Sequence, residues 1–213
     1  MNKQLETWLG EFGKNYTERN SFELEEFDLI TENLLGLRQS EIFKKHFEKH
    51  LSDTGVKVLE VGCNIGNELA LIHKIFPDWE LVGLEPQANA IEIGKKRHPF
   101  VNFVQGSAFE IPFPDNHFDI VMTNGVLIHI HPDDHPKAMS EVVRCSKSLI
   151  WLHEYYADNT EEVEYRGREG LLWRTNFADI YKSLHPSLTT IESALYDRRD
   201  GSGNKDQVAL LKK

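Results

Sequence analysis

The chain has 213 residues, 40% hydrophobic and 27% charged, and its 34 acids against 24 bases give a formal net charge of −10 at pH 7. That length suits one domain with a sizeable core, and the acidic balance disfavours tRNA, rRNA or DNA, whose phosphates it repels. The apolar runs are far too short to span a bilayer, and two cysteines, Cys63 and Cys145, suggest packed thiols rather than a disulfide framework.

Residues 1–52 read as mostly helical and amphipathic, with Phe22, Phe27, Ile30, Ile42, Phe43 and Phe47 set among acids. The start, Met1 to Glu6, has neither the basic opening nor the apolar core of a signal peptide, so a cytoplasmic location without membrane partners is expected. Trp8, Phe12, Tyr16, two glycines and Arg19 do not form a simple stripe. Core packing suits Trp8 and Phe12. Tyr16 and Arg19 offer a phenol and a guanidinium that can close over a carboxylate or a sugar.

From Lys57 onward strand and helix patterns alternate. An apolar strand over 57–61 carries Glu60 and runs into Gly62-Cys63-Asn64-Ile65-Gly66-Asn67, after which Glu68 to Phe76 has helical spacing. A strand, a tight turn and a helix N-terminus hold nucleotide-like ligands in α/β sheets. A dinucleotide fingerprint requires glycines where this chain has Asn64 and Asn67, which counts against a nicotinamide cofactor. Asn64 stands where a φ > 0 is expected, and asparagine tolerates that conformation better than other non-glycine residues.

A second strand, 80–84, ends at Glu85-Pro86-Gln87. A lone Glu there would be a solvated loop carboxylate, but 25 residues beyond Glu60, with a helix-like segment between, it is placed to accept hydrogen bonds from ribose hydroxyls. Lys95-Lys96-Arg97-His98 closes the next helix and complements its dipole. A third strand, 101–104, leads to Gly106-Ser107-Ala108, and a fourth, 118–123, to Asn124-Gly125-Val126 and His129. A helix opens at Pro132-Asp133-Asp134, a fifth strand lies within Ser146–His153, and Asn176–Ser183 is helical. Strands 189–196 and 206–212 flank Gly201–Lys205, most simply as a hairpin.

The Glu60-x-Gly62-x-Asn64-x-Gly66 loop resembles motif I of class I S-adenosylmethionine (SAM) methyltransferases, with Asn64 in place of the middle glycine. The resemblance implies a Rossmann-like α/β fold. Its sheet would have seven strands, mostly parallel with an antiparallel C-terminal hairpin. It also implies one methyltransferase domain over 1–213, a helical cap over 1–52 and a SAM-binding core over 55–213.

In the family's terms Glu60, Gly62, Cys63, Asn64 and Gly66 shape the methionine pocket, Glu85, Pro86 and Gln87 hold the ribose, and Ser107 and Ala108 meet the adenine. Ser107 replaces the commoner Asp. Asn124, Gly125 and Val126 would cover the methionine arm, leaving S-adenosylhomocysteine as product. More narrowly, Trp8, Glu11-Phe12-Gly13, Tyr16–Asn20, Leu59–Gly66, Asn124–Asp134, Glu154–Tyr156 and Val163–Gly167 together look like methyltransferases associated with pseudaminic acid and related nonulosonic-acid sugars. That resemblance implies a small sugar or sugar-acid acceptor; separately, a monomer or homodimer is expected.

On the acceptor side His129 is a possible general base, or a histidine that packs at the cofactor rim. His129, His131 and His135 are not on one helix face and have no cysteine pair nearby, so no metal is expected. His153, Tyr155 and Tyr156 end the fifth strand at the carboxyl edge, where they either line an acceptor pocket or pack. Arg166 and Arg168 suit an anionic acceptor, although solvated loop arginines are common. A catalytically silent SAM-binding scaffold and an NAD(P)-dependent oxidoreductase are the other readings.

Overall fold

The computed structural model describes residues 3–51 and 54–213, so the outermost cap positions, 1–2 and 52, lie outside the described residues. The chain divides into two compact units, residues 1–107 and 108–213. Among the described residues no helix is long and apolar enough to cross a membrane.

The first unit opens with helices α1 (Lys3–Leu9), α2 (Glu11–Arg19), α3 (Leu24–Leu35) and α4 (Gln39–Phe47). Local chemistry sets their ends. Gly36 closes α3 at φ +84°, and Glu41 reaches back to accept from the Arg38 N–H (2.9 Å) before α4. The apolar face expected of this stretch is buried at Ile42, Phe43 and Phe47, each 0% exposed.

Strands β1 (Lys57–Val61), β2 (Glu80–Glu85) and β3 (Asn102–Gln105) alternate with helices α5 (Asn67–Ile75) and α6 (Ala88–Arg97). They lie in the order β3–β2–β1, all parallel. Buried runs such as Val58–Val61 and Leu81–Glu85 are what strands covered on both faces require.

Gly83 allows β2 and the loop after β1 to approach closely. A Cβ there would lie 2.5 Å from Cys63 Sγ and 3.2 Å from Leu69 Cδ1. Gly83→Ala should cost roughly 1–2 kcal/mol by overpacking; urea unfolding measures it, and an unchanged midpoint would show that the thiol moves aside freely.

In the second unit β4 (Phe118–Asn124) is followed by 3-10 turns at Leu127–His129 and Pro132–Asp134, then α7 (His135–Cys145) and β5 (Ser146–Tyr156). A short pair, β6 (Glu161–Glu162) and β7 (Trp173–Arg174), precedes α8 (Phe177–Leu184), β8 (Thr189–Asp197) and β9 (Lys205–Lys212). Here the order is β4–β5–β9–β8, with β4 parallel to β5 and β9 antiparallel to both neighbours.

The expected C-terminal hairpin is present, and the seven strands have the mixed, mostly parallel makeup of the α/β fold that the resemblance implies. The β6–β7 pair was not expected; the segment reads as a polar insertion. Its Leu171, Leu172 and Trp173 are buried, and Arg174 pairs with Glu161 across the two strands at 2.9 Å.

Candidate functional site

In the first unit the site is built where β1 ends. Gly62 and Cys63 both donate their backbone N–H to Leu84 O (2.7 and 3.1 Å), which draws the loop against the end of β2. Gly62, Asn64 and Gly66 all have positive φ (73°, 48° and 83°), so the turn is kept with asparagine at its centre. Gly66 is also where backbone meets side chain, since a Cβ there would lie 2.7 Å from Phe103 Cζ.

Glu85 ties this loop to helix α6. Its Oε2 accepts from Asn64 N (2.9 Å) and its Oε1 from Gln87 N (3.0 Å). Burial pushes its carboxyl up to about 7, against the pull of those two N–H donors. Gln105 Nε2 donates to Pro86 O (2.9 Å), and Gly106 N to Glu85 O (3.2 Å), which brings the end of β3 to the same acid. Ser107 follows directly and is half-buried.

The Cys63 thiol is buried and held far up its scale by burial and by the neighbouring Glu60 and Glu85 carboxylates, so it is a packed group without thiolate character. Glu60 is 2% exposed. Glu68, which follows on α5, is raised well above the ordinary carboxyl range by burial, then by Glu60 and Asp28.

The N-terminal helices bear directly on this loop. Thr17, 0% exposed on α2, donates its hydroxyl to Asn64 Oδ1 at 2.9 Å. Asn67 Nδ2 donates to Phe22 O (3.2 Å), while Arg97 Nη1 donates to Phe22 O (2.9 Å) and Ser21 O (3.2 Å). Gly13 is packed so closely that a Cβ would lie 2.8 Å from Gln87 Nε2. Tyr16 is half-buried and meets Trp8 edge to face at 5.2 Å, whereas Arg19 is exposed.

In the second unit the segment after β4 is held by a residue that strand alternation hides. Glu154, 1% exposed, accepts from the N–H groups of Val126 (3.2 Å), Leu127 (3.1 Å) and Ile128 (3.4 Å). Burial raises its carboxyl to about 7, opposed by those donors. Asn124 Oδ1 accepts from Trp151 Nε1 at 3.1 Å, and Gly125 turns the chain at φ +60°.

His129 Nδ1 lies 2.6 Å from Leu171 O. A carbonyl only accepts, so Nδ1 carries the proton and Nε2 keeps its lone pair. Burial lowers this imidazole to about 4, which leaves it neutral at pH 7. His135 is bonded separately, its Nε2 3.2 Å from Leu127 O, and the half-buried His131 ring meets Trp173 edge to face. Among the described residues no group of three or more His, Cys, Asp or Glu is placed to hold a metal ion.

At the end of β5, His153 and Tyr155 come together with two residues that the sequence did not single out. Asp206 Oδ2 lies 3.3 Å from His153 Nε2, and Asp206 Oδ1 accepts from Arg198 Nε at 2.9 Å. The Arg198 guanidinium lies 4.3 Å from the Tyr155 ring centre. Burial pushes Asp206 up, but His153 and Arg198 outweigh it and hold the carboxyl below its ordinary value. Tyr156 donates its hydroxyl to Asp158 Oδ1 at 2.6 Å. Arg166 is exposed at φ +54° with its cation 5.7 Å from the Tyr165 ring, and Arg168 is exposed too.

A family model described as "Methyltransferase domain" matches residues 58–148. The chain is 31% identical over 121 residues to an uncharacterized methyltransferase of Schizosaccharomyces pombe, covering 52% of this chain and 42% of that protein. It is likewise 31% identical over 120 residues to a demethylmenaquinone methyltransferase of Staphylococcus aureus, covering 54% and 49%. The chain thus spans about half the length, or less, of the curated relatives it matches.

Among solved structures it is similar to the Burkholderia thailandensis 1,6-didemethyltoxoflavin-N1-methyltransferase, which holds 1,6-didemethyltoxoflavin and S-adenosylhomocysteine. The TM-score is 0.67 at 16% identity, over 96% of this chain and 90% of that one. Likeness at that identity speaks for the fold. Residues 58–148 are thus matched by the methyltransferase-domain family, on a chain with the fold of Rossmann-like methyltransferases.

Proposed function

We propose that the protein transfers a methyl group from SAM to a small-molecule acceptor and releases S-adenosylhomocysteine. The observation that carries the reading is Glu85, a buried acid at the tip of β2 bonded to the N–H of Asn64 in the glycine-bearing loop. A carboxylate so fixed can accept from both ribose hydroxyls, and the methyltransferase-domain match covers the same residues.

In the first unit Glu60, Gly62, Cys63, Asn64 and Gly66 hold the methionine part. Glu85, Pro86 and Gln87 hold the ribose, and Ser107 lies toward the adenine. In the second unit Ala108 serves the adenine, and Asn124, Gly125 and Val126 the methionine arm.

The sulfonium methyl is already activated, so the chain's work is alignment, exclusion of water and acceptance of a proton where the acceptor carries one. His129, neutral and with its Nε2 lone pair kept, takes a hydrogen bond from an acceptor hydroxyl or amine, and Tyr16 faces the acceptor. His153, Tyr155, Tyr156, Arg19 and Arg166 contribute to acceptor recognition.

The acceptor we favour is a sugar or sugar acid of surface-polysaccharide or flagellin-glycan synthesis, on the resemblance of the Trp8–Asn20 and Asn124–Asp134 segments. The Staphylococcus aureus relative is named for demethylmenaquinone and the Burkholderia neighbour for a toxoflavin precursor, so a small ring compound is the second class to screen. The test is S-adenosylhomocysteine formation from SAM with sugar, nucleotide-sugar and small ring acceptors. Turnover with a sugar acid supports the reading. Cofactor binding without turnover on any acceptor or cell extract would favour the silent scaffold.

A further inference from the structure

Asn64 and Asn67 stand where a dinucleotide loop has glycines, and both bond to the N-terminal segment. Asn67 does so by donating its side-chain amide to the Phe22 carbonyl at 3.2 Å. The Asn64 contact is of a different kind. Its partner, Thr17, is 0% exposed, and the hydroxyl donates to Oδ1 at 2.9 Å across 47 residues of chain.

The Asn64 N–H is committed to Glu85 Oε2 (2.9 Å), and its carbonyl oxygen lies 3.6 Å from Cys63 Sγ. With Oδ1 held by Thr17, the amide is restrained and Nδ2 remains its donor. Among the described residues Nδ2 has no protein partner, and the side chain is only half-buried. Thr17 is itself fixed, since its carbonyl accepts from Asn20 N (3.2 Å) and Ser21 Oγ (2.7 Å) at the end of α2.

We propose that Thr17 is a positioning residue for cofactor binding, orienting the Asn64 amide so that Nδ2 donates to the bound cofactor. A glycine in this place lets backbone approach the ligand; here an oriented side chain does so, and α2 becomes part of the cofactor site. The inference rests on the SAM reading. It adds a residue outside the glycine loop and assigns the asparagine a use.

The probe is S-adenosylhomocysteine, titrated calorimetrically into wild type, Thr17→Val, Thr17→Ser, Asn64→Gly and the Thr17→Val/Asn64→Gly double variant. Valine keeps the shape of threonine and removes the donor. Loss of one orienting hydrogen bond should weaken Thr17→Val about three- to tenfold. Serine, which keeps the hydroxyl, should stay within about twofold of wild type. In the Asn64→Gly background, where glycine accepts the positive φ, Thr17→Val should have no further effect.

A merely structural role would weaken binding equally in both backgrounds, and that result overturns the proposal. So does a Thr17→Val protein that binds like wild type. If wild type itself fails to bind, the SAM reading falls and takes this inference with it, an outcome that the variants cannot mimic.

Discussion

Glu85→Ala should weaken S-adenosylhomocysteine binding at pH 8 by about 1.5–3 kcal/mol, roughly 10- to 150-fold, the loss expected when a charged acceptor of two hydroxyls is removed. The carboxylate also holds the N–H groups of Asn64 and Gln87, so part of the loss comes from a loosened loop. Glu85→Gln keeps an oxygen acceptor and separates charge from geometry.

The wild-type pH dependence follows from the same group. Burial raises this carboxyl to about 7, while hydroxyl donors favour its ionised form. Affinity should therefore rise with pH between 6 and 8 and level off above. At pH 6 about one carboxyl in ten is ionised, so the dissociation constant should be about tenfold weaker than the plateau. Calorimetry at several pH values measures this, and Glu85→Gln should abolish the dependence. A flat wild-type profile together with an unweakened Glu85→Ala would remove Glu85 from the site.

Glu154→Leu should destabilise the protein by about 3–5 kcal/mol. The change leaves the N–H groups of Val126, Leu127 and Ile128 without their acceptor in a buried place, each at a cost of about 1–3 kcal/mol before relaxation. Glu154→Gln retains one oxygen and should cost about half as much. Urea unfolding gives both values, and faster amide exchange confined to 126–128 would identify the cause. A Glu154→Leu protein as stable as wild type would mean that these amides find other partners.

Linkage adds a second signature. Glu85 and Glu154 both have folded-state values near 7, above the ordinary carboxyl value. Their contribution to stability is therefore fully present below about 4.5 and is lost as pH rises through about 7. In Glu154→Gln half of that slope should disappear.

The parts that could be read from the sequence were those whose cause is local. The strand–loop–helix at 57–76 was legible because an apolar run, positive-φ residues and helical spacing lie within twenty residues. Glu85 was legible because a second strand must end where it does. Asn64, expected to hold a left-handed turn, has φ +48°.

Partners distant in sequence were not legible. Thr17 looks like one polar residue on a mixed helix until Asn64 is beside it. Glu154 was passed over between His153 and Tyr155 because side chains alternate across a strand, and its buried side is the opposite of theirs. Asp206 and Arg198 became visible only through the register that sets Tyr155 against Asp206. The β6–β7 pair has two residues per strand, too short for any periodicity to show. Some element ends shifted by a residue, β3 being 102–105 where 101–104 was expected, and others by three, β5 running to Tyr156 and α7 starting at His135 after a 3-10 turn.

The most direct test of the cofactor claim is isothermal titration of the purified protein with S-adenosylhomocysteine, with NAD as the parallel control. Micromolar binding of S-adenosylhomocysteine and none of NAD is the predicted result. Failure of S-adenosylhomocysteine to bind, with or without uptake of NAD, would contradict it and return the loop at 62–66 to a merely structural turn.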